Sequence, residues 1–391
     1  MKRGRSIHDP LAAAYLAGQR TYRAGLIALV NARRRSLGKS PLDWPKVGAT
    51  PHEVVWREGA ATLIRYRAEN DASASKPAGL PLLLICSLIN RPYVLDLLAE
   101  RSVVGRLLAS GRDVWLLDWG KTEPADATRS LGSYALELLP RAAEVVRLRA
   151  HAERLHLLGY CMGGTFALLA AAAGKIPVAG LVAMAAPVDL DDGGMLSMWC
   201  RAPGFDPAEI VRVYGNAPPH LLQPAFKLLD PVGLATKLAH LDEKLGDDDF
   251  VRFFLAMETW LEDSVAFPGR AFTEWVSLYR DNALVRGTCR LDGERIDLGR
   301  LEGPVMTLVA DGDYITPPQS SLAIERLSPG AQHETVRMKG GHIGLSTSSA
   351  AHRELWPKVA AWLSTHDNMM QTHQKRTPRV MRAHKKGRAK R

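Results

Sequence analysis

The chain runs to 391 residues, 46% hydrophobic and 24% charged, a composition that fits a globular body with one large core or two smaller ones. No stretch approaches the ~18 uncharged apolar residues of a spanning helix. Lys2, Arg3 and Arg5 lead into Asp9-Pro10 rather than an apolar signal segment, so a cytoplasmic protein that is not transmembrane is expected. The formal charge of +10 is local: nine basic residues follow Asp367 with no acid among them, which leaves +1 for everything before.

Residues 1–50 read as an N-terminal helical segment, with a main helix over 11–35 broken by Ser40-Pro41-Leu42-Asp43-Trp44-Pro45. A strand is expected at 62–66 and a polar loop of low order from Asn70 to Pro77. Strands and helices then alternate: strand 82–85, helix 102–110 stopping at Gly111, strand 114–117, a long amphipathic helix 131–150, and strands 155–158 and 181–184. Short, wholly apolar strands separated by helices indicate a mostly parallel sheet with helices on both faces. The alternation lapses over residues 189–300, rich in Pro, Trp, Phe and Met, which read as a helical cap insertion. The sheet resumes at 305–309, followed by helix 320–327, strand 334–338 and a last helix 351–363. The core is thus expected in two parts, 51–188 and 301–365, and residues 366–391 read as a basic disordered tail with almost no core-forming side chains.

The chemistry concentrates in three segments. In Leu155-His156-Leu157-Leu158-Gly159-Tyr160-Cys161-Met162-Gly163-Gly164-Thr165 a buried strand runs into a small-residue turn and a helix, with Cys161 at the apex. That is the arrangement of a nucleophile elbow, whose strained turn and close helix–strand packing require glycines. In the segment from Leu308 to Pro318 an apolar strand ends in two acids; Asp313, directly ahead of Ile-Thr-Pro, is the favoured one and Asp311 the fallback. Lys339-Gly340-Gly341-His342-Ile343-Gly344 sets a histidine in a glycine-rich loop after a short strand. Cys, Asp and His at strand ends in that order define the expected class, an α/β fold of the α/β-hydrolase type. A thiol with pKa ~8.5 is little ionised at neutral pH, so His342 would take its proton, and Asp313 would fix the imidazole tautomer and balance its charge. The backbone N–H of Met162 would face a developing oxyanion, with a second donor from the loop after Ile85, between Leu88 and Asn90. The other histidines, among them His151, His156, His240, His333 and His352, read as structural or exposed. Cys86, Cys161, Cys200 and Cys289 show no metal-type spacing, so thiols and no metal site are expected.

Gly159-Tyr160-Cys161-Met162-Gly163-Gly164 resembles the lipase-like box of polyhydroxyalkanoate synthases, which carries cysteine where lipases carry serine. The segments from Ile89 to Leu97, Asp113 to Gly120, Met257 to Ser264 and Gly340 to Gly344 are similar to further parts of that family, spanning roughly residues 44–363. The length resembles the short, class III catalytic subunit, as in poly(3-hydroxybutyrate) synthases. The resemblance implies polymerisation of (R)-3-hydroxyacyl-CoA, 3-hydroxybutyryl-CoA in particular, with release of CoA. It also implies no separate cofactor, a second non-catalytic synthase subunit, a homo- or hetero-oligomer, and association with cytoplasmic polymer granules. The family carries histidine after the catalytic aspartate where this chain has Tyr314, which puts a role for that histidine in doubt but not the triad. The same triad leaves open an acyl-CoA thioesterase or a polyester depolymerase. A nucleic-acid-binding or scaffold protein rests on the tail alone, and nine cations without interleaved aromatics imply no specific nucleic-acid site.

Overall fold

The computed structural model describes residues 10–68 and 79–367. A long helix α1 (Pro10–Ser36) precedes strands β1 (His52–Glu58), β2 (Ala61–Tyr66) and β3 (Leu82–Ile85). Helix α2 (Val103–Ala109), strand β4 (Val114–Asp118) and helix α3 (Leu139–Ala150) follow, α3 being entered through a π-helical turn, Ser133–Leu138. Then come β5 (Leu155–Tyr160), α4 (Met162–Ala172) and β6 (Val178–Met184). Six helices occupy the next stretch among the described residues: α5 (Met195–Arg201), α6 (Pro207–Tyr214), α7 (Pro219–Lys227), α8 (Pro231–Glu243), α9 (Asp248–Glu262) and α10 (Gly269–Asp281). A small hairpin, β7 (Arg290–Leu291) and β8 (Glu294–Arg295), leads back to β9 (Gly303–Ala310), α11 (Pro318–Leu327), β10 (Ala331–Met338), α12 (Gly344–Thr347) and α13 (Trp356–His366).

The eight-stranded sheet has the order β1-β2-β4-β3-β5-β6-β9-β10, antiparallel at β1–β2 and β2–β4 and parallel from β4 to β10. Strands β3 and β5 at its centre are buried at every position because both faces are covered, and the pleat divides their side chains. Leu83, Ile85, Trp115, Leu117 and Leu157 join Phe166 of α4 and the buried side of α3 on one face. Leu82, Leu84, Leu116, Leu158 and Met184 meet Val104 and Leu107 of α2 and Trp356, Val359 and Leu363 of α13 on the other. The edge strand β1 escapes the sequence pattern because it is half-exposed and carries charges among its apolar residues.

Helix α1 docks on the inserted helices. Leu26 and Val30 share a separate core with Leu241, Leu245, Val251 and Leu255. The buried guanidinium of Arg34 donates to Leu245 O at 2.9 Å and to Asp248 Oδ1 at 2.8 Å. Helices α6, α8 and α9 each begin on an aspartate whose carboxylate accepts a first-turn N–H, which fixes where they start.

Two expectations need correction or fall outside view. His366 and Asp367, read as the start of the tail, belong to α13 as its last residue and its C-cap. Asp367 is held there by Arg112 at 2.8 Å, His156 Nε2 at 3.0 Å and the Leu80 N–H at 3.0 Å, a polar clasp that fastens the end of α13 to the sheet. The loop expected at Asn70 to Pro77 and the tail beyond Asp367 lie outside the described residues.

Candidate active site

Strand β5 delivers Cys161 in a conformation few L-residues adopt, φ 56° and ψ −129°. Such backbone costs of order 1–3 kcal/mol and persists only where the surroundings enforce it. Here the glycines do so. A Cβ on Gly163 would run into the backbone of Ile85 and lie 2.7 Å from the Cys86 carbonyl oxygen. One on Gly164 would lie 2.6 Å from Ala186 Cβ, and one on Gly159 2.5 Å from the Gly163 carbonyl oxygen. Helix α4 thus starts in direct contact with the end of β3 and the loop after β6. Because the obstacle is backbone, Gly163→Ala is expected to cost about 3 kcal/mol or more, read as a lowered urea midpoint.

The other two residues meet at the ends of β9 and β10. Asp313 is buried, and its Oδ1 accepts the N–H groups of Ile315 at 2.9 Å and Thr316 at 2.8 Å, which locks the carboxylate. Its Oδ2 accepts from His342 Nδ1 at 2.7 Å. The alternative acid, Asp311, is turned away to solvent and pairs with Arg337 at 2.7 Å. Asp313 takes Nδ1, which leaves Nε2 of the same imidazole for the Cys161 sulfur. Burial alone would pull the His342 pKa down; the charges of Asp313 and of the Cys161 sulfur, with the hydrogen bonds to both, outweigh it and raise the imidazole to about 10. At neutral pH His342 therefore holds a proton beside the Asp313 carboxylate.

Among the four free cysteines, burial sets three apart. It pushes Cys86 well up, helped by the charges of Asp118 and Cys161, and takes Cys200 and Cys289 each to about 11. These three remain thiols at neutral pH, and thiols are poor nucleophiles.

Of the expected oxyanion donors, Met162 is the first residue of α4, where an N–H has no partner within the helix. Leu88 is buried in the core after β3, and Asn90 is half-buried between Ile89 and Arg91. This loop is held from two sides: Trp119 Nε1 donates to the Cys86 carbonyl at 2.9 Å and Val265 N–H to the Ile89 carbonyl at 3.1 Å.

Three segments singled out in the sequence converge just beyond it. Arg91 forks onto both carboxylate oxygens of Asp118, at 3.4 and 3.1 Å, and its Nε lies 3.8 Å from Asp263. Trp260 Nε1 donates to the Arg91 carbonyl at 2.7 Å, and the Tyr93 hydroxyl to Asp263 at 3.2 Å. Gly120 closes the Asp-Trp-Gly turn at φ 79°, where a Cβ would strike Ala60. The hub ties the end of α9 to the loop that follows β3.

Sequence reasoning missed two tyrosines. Tyr279 of α10 is buried, and burial followed by the charges of Cys161, Cys200, Asp192 and Asp313 drives its phenol well above the ordinary range. Tyr160, adjacent to the nucleophile in sequence, lies on the His342 ring. Tyr314, the departure noted above, is 43% exposed; burial, then the charges of Asp230 and Asp313, raises its phenol. Among the described residues no cluster of His, Cys, Asp and Glu could hold a metal, and no helix is long and apolar enough to cross a membrane.

The sheet, the elbow and the acid and histidine loops define a protein of the α/β-hydrolase fold, and the sequence profile described as "alpha/beta hydrolase fold" matches residues 91–348. A second profile, "Poly-beta-hydroxybutyrate polymerase (PhaC) N-terminus", matches residues 38–107. The chain is 37% identical over 321 residues to the poly(3-hydroxyalkanoate) polymerase subunit PhaC of Haloferax mediterranei, covering 81% of this chain and 64% of that one. It is 34% identical over 320 residues to the subunit of the same name from Allochromatium vinosum, covering 81% of this chain and 89% of that one. The chain belongs to the family of poly(3-hydroxyalkanoate) polymerase subunits PhaC. It spans less than two thirds of the Haloferax protein and most of the Allochromatium one.

Proposed function

We propose that this chain polymerises (R)-3-hydroxyacyl-CoA, with 3-hydroxybutyryl-CoA as the first substrate to try, through an acyl group carried on Cys161. The observation that supports this most is the buried Asp313–His342 pair at 2.7 Å, on an imidazole whose charged form Cys161 also favours. The Cys161 sulfur, its proton already on His342, attacks the thioester carbonyl. Collapse of the tetrahedral oxyanion breaks the bond to CoA sulfur, and His342 gives its proton to the leaving CoA. The neutral imidazole then takes the proton of an incoming 3-hydroxyl as that oxygen attacks the acyl–Cys161 carbonyl. Cys161 leaves as thiolate and the ion pair is restored. Met162 and the loop from Leu88 to Asn90 supply the oxyanion donors in this scheme. The cycle uses no cofactor beyond the CoA of the substrate.

Water would end the chain, so a cover over the sulfur serves transfer rather than hydrolysis. Helix α10 offers one, with Trp275 packed on Phe166 of α4 at 6.3 Å between ring centroids and Tyr279 beside it. The proposal includes a second, non-catalytic subunit and work at the granule surface. The test feeds 3-hydroxybutyryl-CoA, with and without such a subunit, and follows thioester loss and product size. High-molecular-weight polyester is expected. Free 3-hydroxybutyrate without polymer, even with the subunit added, would replace the polymerase reading by a thioesterase.

A further inference from the structure

We propose that Tyr160 is a positioning residue whose ring face seats the protonated His342 imidazole and holds it in line between Asp313 and Cys161. The inference rests on the triad reading above and concerns what keeps that triad charged and aligned.

The geometry is specific. The Tyr160 and His342 rings lie 5.1 Å apart, centroid to centroid, at an interplanar angle of 26°, which is a stack rather than an edge contact. The Tyr160 hydroxyl donates to the backbone carbonyl of His342 at 3.3 Å, so one side chain touches both the ring and the loop that carries it. The contact is long-range in sequence: Tyr160 ends β5 and His342 follows β10, and the sheet order sets β6 and β9 between them. Tyr160 is also the residue before Cys161, so the nucleophile and the seat of its imidazole partner move as one piece of backbone.

The physics favours the charged ring. An aromatic face is the negative end of a quadrupole and attracts a cation within about 6 Å, most strongly where water is excluded. Tyr160 is 4% exposed and His342 7%. The charged and titratable groups facing this imidazole are Asp313 from the loop after β9, Cys161 from the elbow and Tyr160 from β5; behind them Cys86 after β3 acts on Tyr160, and Asp313 and Cys161 act on Tyr279 of α10. Burial, then the charges of Cys161, Asp313 and Cys86, holds Tyr160 well above the ordinary phenol range, so it meets His342 as a neutral face and adds no competing anion. Asp313 grips only Nδ1; a planar neighbour stops the ring from turning about that bond. Phenylalanine keeps the face and loses the hydroxyl, whereas leucine or methionine fills much of the volume without a π system.

The experiment measures the His342 pKa by NMR of imidazole-labelled protein, and the pH profile of Cys161 alkylation by iodoacetamide, in Tyr160→Phe, Tyr160→Leu and Tyr160→Met. Both readouts are independent of polymerisation, so a failed polymerase reading would leave them interpretable. Tyr160→Phe should keep the wild-type His342 pKa, and the two aliphatic variants should lower it by about one unit with a matching shift in the alkylation profile. A wild-type pKa and profile in whichever aliphatic variant folds would overturn the proposal. So would an equal fall in Tyr160→Phe, which would assign the effect to the hydroxyl. If neither aliphatic variant folds, pentafluorophenylalanine at position 160, which keeps the ring shape and reverses its quadrupole, should lower the His342 pKa relative to Tyr160→Phe, and an unchanged value would refute the face.

Discussion

Cys161→Ala should lower CoA release from 3-hydroxybutyryl-CoA by about 10⁴- to 10⁶-fold, the scale on which losing a covalent nucleophile is felt. Cys86→Ala, Cys200→Ala and Cys289→Ala should leave the rate essentially unchanged. The argument is one of position and ionisation together. Cys161 alone is held at a strained turn against an imidazole flanked by a locked carboxylate. The other three are pushed up by burial. Thioester loss followed by absorbance gives the rate without interference from protein thiols. Labelling with iodoacetamide and mapping the adduct by mass spectrometry gives an independent check: one adduct in the wild type, on Cys161, and none in Cys161→Ala. An adduct on Cys86 of equal yield would point to a different nucleophile.

The residues of the site were legible in the sequence because each is announced locally. Cys161 and Asp313 follow buried, largely apolar strands of the length that a covered parallel sheet requires, His342 follows the half-exposed edge strand β10, and small residues mark each turn. The parallel order of the central strands follows from the same alternation. What carries no local signal stayed hidden. Strand β1 is a half-exposed edge that pairs only with β2 among the described residues, and its charged residues leave no clean alternation. The stack of Tyr160 on His342 joins residues 182 apart, and the Arg91–Asp118–Asp263 hub joins segments from three separate elements. Those segments were noticed for their resemblance; the hub gives them a shared physical role, fastening α9 to the loop after β3. His156 shows the same limit from the other side. Read as structural or exposed, it is fully buried, and its Nε2 pairs with Asp367 from the far end of the chain, a carboxylate that Arg112 also holds.

Asp313→Asn should reduce turnover by about 10³- to 10⁴-fold while leaving the loop in place. Asparagine keeps an oxygen for the N–H groups of Ile315 and Thr316, so the turn survives. The atom facing His342 Nδ1 becomes an amide N–H, which forces Nδ1 to accept and moves the ring proton to Nε2, the side facing Cys161. The imidazole then cannot take a proton there without becoming a cation with no counter-charge. The pH dependence follows in sign. In the wild type His342 stands at about 10, above an unfolded value of roughly 6.5. Its contribution to stability is therefore fully present below about pH 6.5 and is lost as pH rises through about 10. With the Asp313 charge gone, burial acts against the Cys161 sulfur alone, so the imidazole pKa falls. The stability gap between wild type and Asp313→Asn, measured by urea denaturation, should be widest below about pH 6.5 and close toward pH 10. Asp311→Asn, which removes an exposed carboxylate paired with Arg337, should change neither turnover nor the His342 titration. A loss in Asp311→Asn as large as in Asp313→Asn would transfer the role of the acid to Asp311.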